Sequence, residues 1–140
     1  MSCVLRFSAP NCDIDAIVAT LDLPVESLYR QGEPRLVLRS RGPFTKSGFH
    51  VVTSEAAFEE FELQITETIA FIKSHRVALQ QLAAVAVSLP EYCFVFDFGI
   101  TTRMFDVAAQ VDYFPPELVR LMGELGAGIK LSQYPSARDS

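Results

Sequence analysis

Tyr92-Cys93-Phe94-Val95-Phe96-Asp97-Phe98 is apolar at nearly every position. A strand has this composition when it runs centrally in a sheet or is covered on both faces. Other segments supply neighbours for it. Cys3-Val4-Leu5-Arg6-Phe7 alternates, with Cys3, Leu5 and Phe7 on one side, which predicts a half-buried strand. Phe49-His50-Val51-Val52-Thr53 is rich in β-forming residues. Arg35-Leu36-Val37-Leu38-Arg39 reads as a further strand, joined to 48–53 as a hairpin. Val107 to Tyr113 reads as the strand returning from the Phe-rich run, and Gly128 to Tyr134 as a last strand before Pro135.

Helices separate these segments. Asp13 is placed to cap a short helix carrying Ile14, Ile17, Val18 and Leu21, with Pro24 beyond its end. Ser27 to Arg30 is extended, leading into the turn-forming Gln31-Gly32-Glu33-Pro34. Ser54 is expected to cap the longest helix, in which Phe58, Phe61, Ile65, Thr68, Ile69 and Ile72 form the buried stripe. Lys73-Ser74-His75 interrupts it, and Val77, Leu79 and Leu82 belong to a second piece or a bent continuation. Ala83 to Leu89 either finishes that helix or begins a strand. Pro115-Pro116-Glu117 opens a final helix with Leu118, Leu121, Met122 and Leu125 buried, and Gly126 stops it. The order β-α-β-β-α-β-β-α-β predicts an α+β fold: a single antiparallel-rich sheet with helices packed on one face.

Composition bounds the function. The chain has 140 residues, 49% hydrophobic and 21% charged, which suits one globular domain over 1–135 with a flexible tail at 136–140. Net charge is −5, unfavourable for a nucleic-acid partner, since phosphate contacts need concentrated Lys and Arg. No apolar run approaches the ~20 residues of a membrane span, and the N-terminus lacks a secretory pattern. A cytoplasmic chain is the expectation. Cys3, Cys12 and Cys93 lack CxxC spacing, and His50 and His75 fall in different elements, so no metal site and no cofactor are expected.

Reactive motifs are sparse. There is no GxSxG elbow, phosphate loop or GxGxxG, and the Gly126–Gly128 pair follows a helix instead of a strand. Asp97 among phenylalanines is the strongest acid–base candidate. Its structural alternative is hydrogen bonding to the Gly99–Arg103 turn or pairing with Arg103. His50 is the next candidate, unless it points outward beside Arg39 as part of a polar face. Cys12, just before a helix, is either an activated thiol or a buried inert one, and no base adjoins it. No catalytic residue is assigned.

Charge distribution says more. From Arg30 to His50 stand Arg30, Arg35, Arg39, Arg41 and Lys46 against Glu33 alone. From Val51 to Ile72 stand Glu55, Glu59, Glu60, Glu62 and Glu67 with no base. Glu55, Glu59 and Glu62 are expected to share one flank of the long helix. That face is either simply solvated, docked on the chain's own arginines, or an anionic surface for a basic partner. Leu63 and Phe71 escape the buried stripe, and either is a candidate anchor if it is left uncovered.

Three strings carry a resemblance: Leu28 to Pro34, Phe96-Asp97-Phe98-Gly99-Ile100, and Phe114 to Leu118 running into Leu125 to Pro135. The chain resembles small bacterial proteins of the domain of unknown function 4279 group, similar in layout along most of its length. Some members of such groups look like immunity proteins encoded beside secreted toxins. The resemblance implies a non-enzymatic protein-binding role, with a toxin domain as partner; exposed strand edges separately leave open a structural homodimer, a second copy of the chain being the partner. A second hypothesis is an anionic-ligand binder or minor enzyme using Arg30, Arg35, Arg39 and His50.

Overall fold

The computed structural model describes residues 1–135, and the expected tail at 136–140 lies outside them. Five strands form one mixed sheet: β1 (Cys3–Ala9), β2 (Val25–Tyr29), β3 (Ser47–Ser54), β4 (Cys93–Thr101) and β5 (Gly128–Tyr134). Four helices are interspersed: α1 (Ile14–Ala19), α2 (Phe61–Ser74), α3 (Arg76–Ala86) and α4 (Pro116–Leu125). The sheet order is β2-β3-β1-β4-β5, antiparallel throughout except that β5 lies parallel to β4. The α+β class with an antiparallel-rich sheet therefore holds. The parallel edge follows from connectivity, because α4 carries the chain back along the sheet before β5 begins.

The period-two pattern sorts the sheet into two faces. Cys3, Leu5, Phe7, Phe49, Val51, Phe94, Phe96, Phe98 and Ile100 are fully or almost fully buried. They share one core with Ile65 and Ile72 of α2, Leu79 and Leu82 of α3, and Leu118, Leu121 and Leu125 of α4. Phe61 meets Phe98 and Phe114 edge to face at centroid distances of 5.9 and 5.3 Å, locking the start of α2 onto the sheet. The opposite face carries Tyr29, His50, Arg6, Asp97 and Ser132, one from each strand.

Four expectations are corrected. Residues 35–39 form no strand, and β3 pairs with β2 instead. Pro34 and Gly42-Pro43 bracket the segment, and Leu38 adopts a left-handed φ of 60° that ends any extended run. A 3-10 turn follows at Arg39–Arg41. Leu28 reaches the core opposite Phe49, which Leu36 and Val37 do not: they stand 85% and 76% exposed.

Residues 107–113 likewise form a loop, because β5 occupies the outer edge of β4 that this segment would need. The loop is tied by Arg103, whose backbone N–H donates to the Gln110 side chain at 2.6 Å and whose guanidinium pairs with Asp112 at 3.2 Å. The longest helix starts at Phe61, not after Ser54. The Ser54 hydroxyl accepts from the Ala56 N–H at 3.1 Å and donates to Glu67 at 2.7 Å, closing the strand end instead of capping a helix. Phe58 therefore lies outside the helical stripe and packs on Tyr134 at 5.5 Å. The alternative left open at 83–89 resolves as helix, since residues 83–86 finish α3, which ends at Ala86.

Candidate functional site

The exposed residues of α2's first turn meet the 103–115 loop across a cleft of about 780 Å³. Glu59, Glu60, Glu62, Leu63 and Thr66 line one wall, and Arg103, Val111, Asp112, Tyr113 and Pro115 the other. Glu60 is the N-cap residue and Glu62 lies in the first turn, where negative charge suits the helix's positive end. Among the described residues no ion pair engages Glu59, Glu60 or Glu62. Arg103, the one cation in the lining, is already bound to Asp112. The cleft is thus net anionic. It also exposes apolar surface: Leu63 is 41% exposed, Tyr113 68% and Val111 80%.

Not every residue of the expected acidic flank is here. Of the three, only Glu62 is helical: Glu59 lies in the turn before α2, and Glu55 lies further upstream and pairs with the amino group of Met1 at 3.0 Å. Phe71 is half-buried, packed against the core and stacked on the His75 ring at 4.2 Å, so the structure does not place it at the cleft. Arg103, Val111, Asp112 and Tyr113 join the site because their segment is a loop and not a strand. Two exposed apolar residues spaced as Val111-x-Tyr113 beside Pro115-Pro116 were the available signal.

The basic residues do not converge. Arg30 is held bidentately by Asp15, at 2.6 and 2.8 Å, and by Glu33 at 3.3 Å. Arg35 donates to the Gly42 carbonyl at 3.1 Å and lies over the Phe44 ring at 4.8 Å. Arg35 and Arg39 line a shallow depression with Leu36 and Pro43, whereas His50 sits on the sheet.

His50 and Asp97 belong to a polar row across the open face. Arg6, which sequence reading had not singled out, stands between them. Its Nε donates to Asp97 Oδ2 at 3.0 Å, and a terminal nitrogen lies 3.1 Å from His50 Nε2. The Ser132 hydroxyl donates to Asp97 Oδ1 at 2.7 Å. Because a guanidinium only donates, His50 Nε2 accepts and the ring proton belongs on Nδ1. Burial, and then the Arg6 charge, push the His50 pKa below its ordinary value. The expected neighbours are corrected here: Arg6 replaces Arg39 beside His50 and replaces Arg103 beside Asp97.

A nucleophile must sit within reach of its base. In this row Arg6 separates His50 from Ser132, and the Asp97 charge is spent on Arg6, so the arrangement braces strands. The Cys3 and Cys12 thiols are comparably quiet. Burial raises the Cys3 pKa to about 11 and also raises that of Cys12, whose thiol donates to the Ala9 carbonyl at 3.4 Å. Among the described residues no three His, Cys, Asp or Glu side chains gather as a metal would require, and no helix is long and apolar enough to cross a membrane. No family model matches the chain, and no curated protein or solved structure is significantly similar to it.

Proposed function

We propose that this chain is a non-enzymatic protein-binding module whose cleft between α2 and the 103–115 loop receives a basic, partly apolar segment of a partner. One observation carries the reading: among the described residues, Glu59, Glu60 and Glu62 have no ion-pair partner, and they stand beside exposed Leu63, Val111 and Tyr113. Unpaired carboxylates steer a cationic partner, and the apolar side chains hold it once it has docked. The resemblance to the 4279 group adds an immunity-type role, with the partner a toxin domain whose own active surface is basic. A bacterial cytoplasm is the setting this role implies.

Titration against the product of the gene adjacent to its own tests the reading. A complex is expected at micromolar concentration or below. Glu59→Lys with Glu62→Lys should slow association and flatten its dependence on salt, while dissociation changes little. Absence of a complex, or association rates unmoved by the charge reversal, would remove the cleft from the account.

A further inference from the structure

We propose that the cleft also receives a second copy of this chain, through the loop around Leu36, Val37 and Leu38; this rests on reading the cleft as a polypeptide site. The loop is the cleft's complement. Leu36, Val37 and Leu38 are three consecutive exposed apolar side chains. Arg39 and Arg41 flank them in the 3-10 turn, and Lys46 follows. Among the described residues no ion pair engages Arg39, Arg41 or Lys46. Several other charges are paired within the chain: Arg6 with Asp97, Arg30 with Asp15, Lys73 with Glu117, Arg76 with Glu124 and Arg103 with Asp112. Among the described residues, the loop gathers unpaired cations around exposed Leu36, Val37 and Leu38, and the cleft gathers unpaired carboxylates around exposed Leu63, Val111 and Tyr113.

A chain cannot satisfy both by itself. The loop joins the sheet at Tyr29 and Ser47, whereas the cleft begins beyond Ser54, at the opposite end of β3. That strand has 8 residues. At about 3.3 Å per residue it holds the two ends roughly 23 Å apart. Two copies laid side by side and head to tail bring each loop to the other's cleft, so a two-fold pair makes the contact twice and leaves neither pole open. The backbone of Leu38 fits a contact role. Its left-handed conformation is costly for a branched side chain and turns the apolar tip out to solvent.

Sedimentation velocity on the intact chain at low and high salt tests this. A salt-sensitive dimer is expected. Arg39→Glu with Arg41→Glu, and separately Glu59→Lys with Glu62→Lys, should each weaken it by about tenfold or more. Mixing the two variants should restore a heterodimer, since the reversed loop then meets the reversed cleft. Far-UV circular dichroism confirms that each variant is folded. A wild-type chain that stays monomeric at low salt, or a mixture that fails to pair, would overturn the proposal. So would a monomer that binds phosphatidylserine vesicles through Arg39 and Arg41, because the loop's partner would then be a lipid surface. A fluorescein-labelled peptide of residues 33–44 separates the two readings. If it binds wild type but not the Glu59→Lys, Glu62→Lys variant while the chain remains monomeric, self-pairing fails and the cleft reading stands. If neither the peptide nor the adjacent gene product binds, both fail.

Discussion

Gly48 shows how one missing atom sets the edge of the sheet. A Cβ there would collide with the Phe7 carbonyl oxygen and the Tyr29 hydroxyl, so only glycine lets the Tyr29 ring close over β3. That ring then stacks on Phe44 at 4.6 Å and meets the His50 edge at 5.8 Å. Gly48→Ala is expected to destabilise by about 1–3 kcal/mol in chemical denaturation, since the backbone oxygen of a central strand cannot yield. Leu38→Gly should do the opposite and stabilise by about 1 kcal/mol, because it releases a strained left-handed residue that is 54% exposed and outside the core. His50 gives a pH signature. Its pKa is depressed in the fold, so the unfolded chain binds the extra proton more readily. Its contribution is complete above the unfolded value near 6.5 and is lost as pH falls below it. Denaturation midpoints should therefore fall between about pH 7.5 and 5.5, and His50→Gln should flatten that slope.

Among the elements, the contest for β3's free edge separates what the sequence displays from what it conceals. The alternation of Cys3 to Phe7 and the continuous apolar run at 92–98 made β1 and β4 legible, because both patterns are local. The helix stripes were legible for the same reason, down to Leu118, Leu121, Met122 and Leu125. Edges are different: two segments can offer similar β-forming residues, and only the core decides which docks. Leu36-Val37-Leu38 looks the better strand, yet Val25–Tyr29 wins because Leu28 reaches the core and Tyr29 fits Gly48. Leu36→Ser with Val37→Ser should leave stability within about 0.5 kcal/mol, whereas Leu28→Ala should cost about 2 kcal/mol. The Arg6–Asp97 pair was hidden for a related reason. Each residue faces away from the core, but their meeting depends on the register of β1 against β4. Arg6→Leu should destabilise by about 1–2 kcal/mol by leaving the buried Asp97 carboxylate unpaired, a modest figure because the Arg6 side chain is 38% exposed. The double variant Arg6→Leu, Asp97→Leu should recover part of that loss.

At the scale of the whole molecule, the acidic side of the cleft was legible and its opposite wall was not. Glu62 and Leu63 follow from helical spacing and Glu59 from its place just before the helix, but Arg103, Asp112 and Tyr113 come together only once 103–115 closes as a loop. The resulting polarity, cations beyond one end of the sheet and carboxylates beyond the other, was visible as blocks of charge, although their separation in space needed the strand directions.

Strand order also has a consequence for how the chain is made. β1 lies at the middle of the sheet, yet it leaves the ribosome before either neighbour exists, and its second neighbour, β4, ends only at Thr101. During synthesis the apolar side of Cys3–Ala9 must wait for nearly a hundred residues to follow. No early half of this protein can mature alone. Nascent chains stalled before Cys93 should be protease-sensitive and chaperone-bound, and protection should come abruptly once β4 has cleared the exit tunnel.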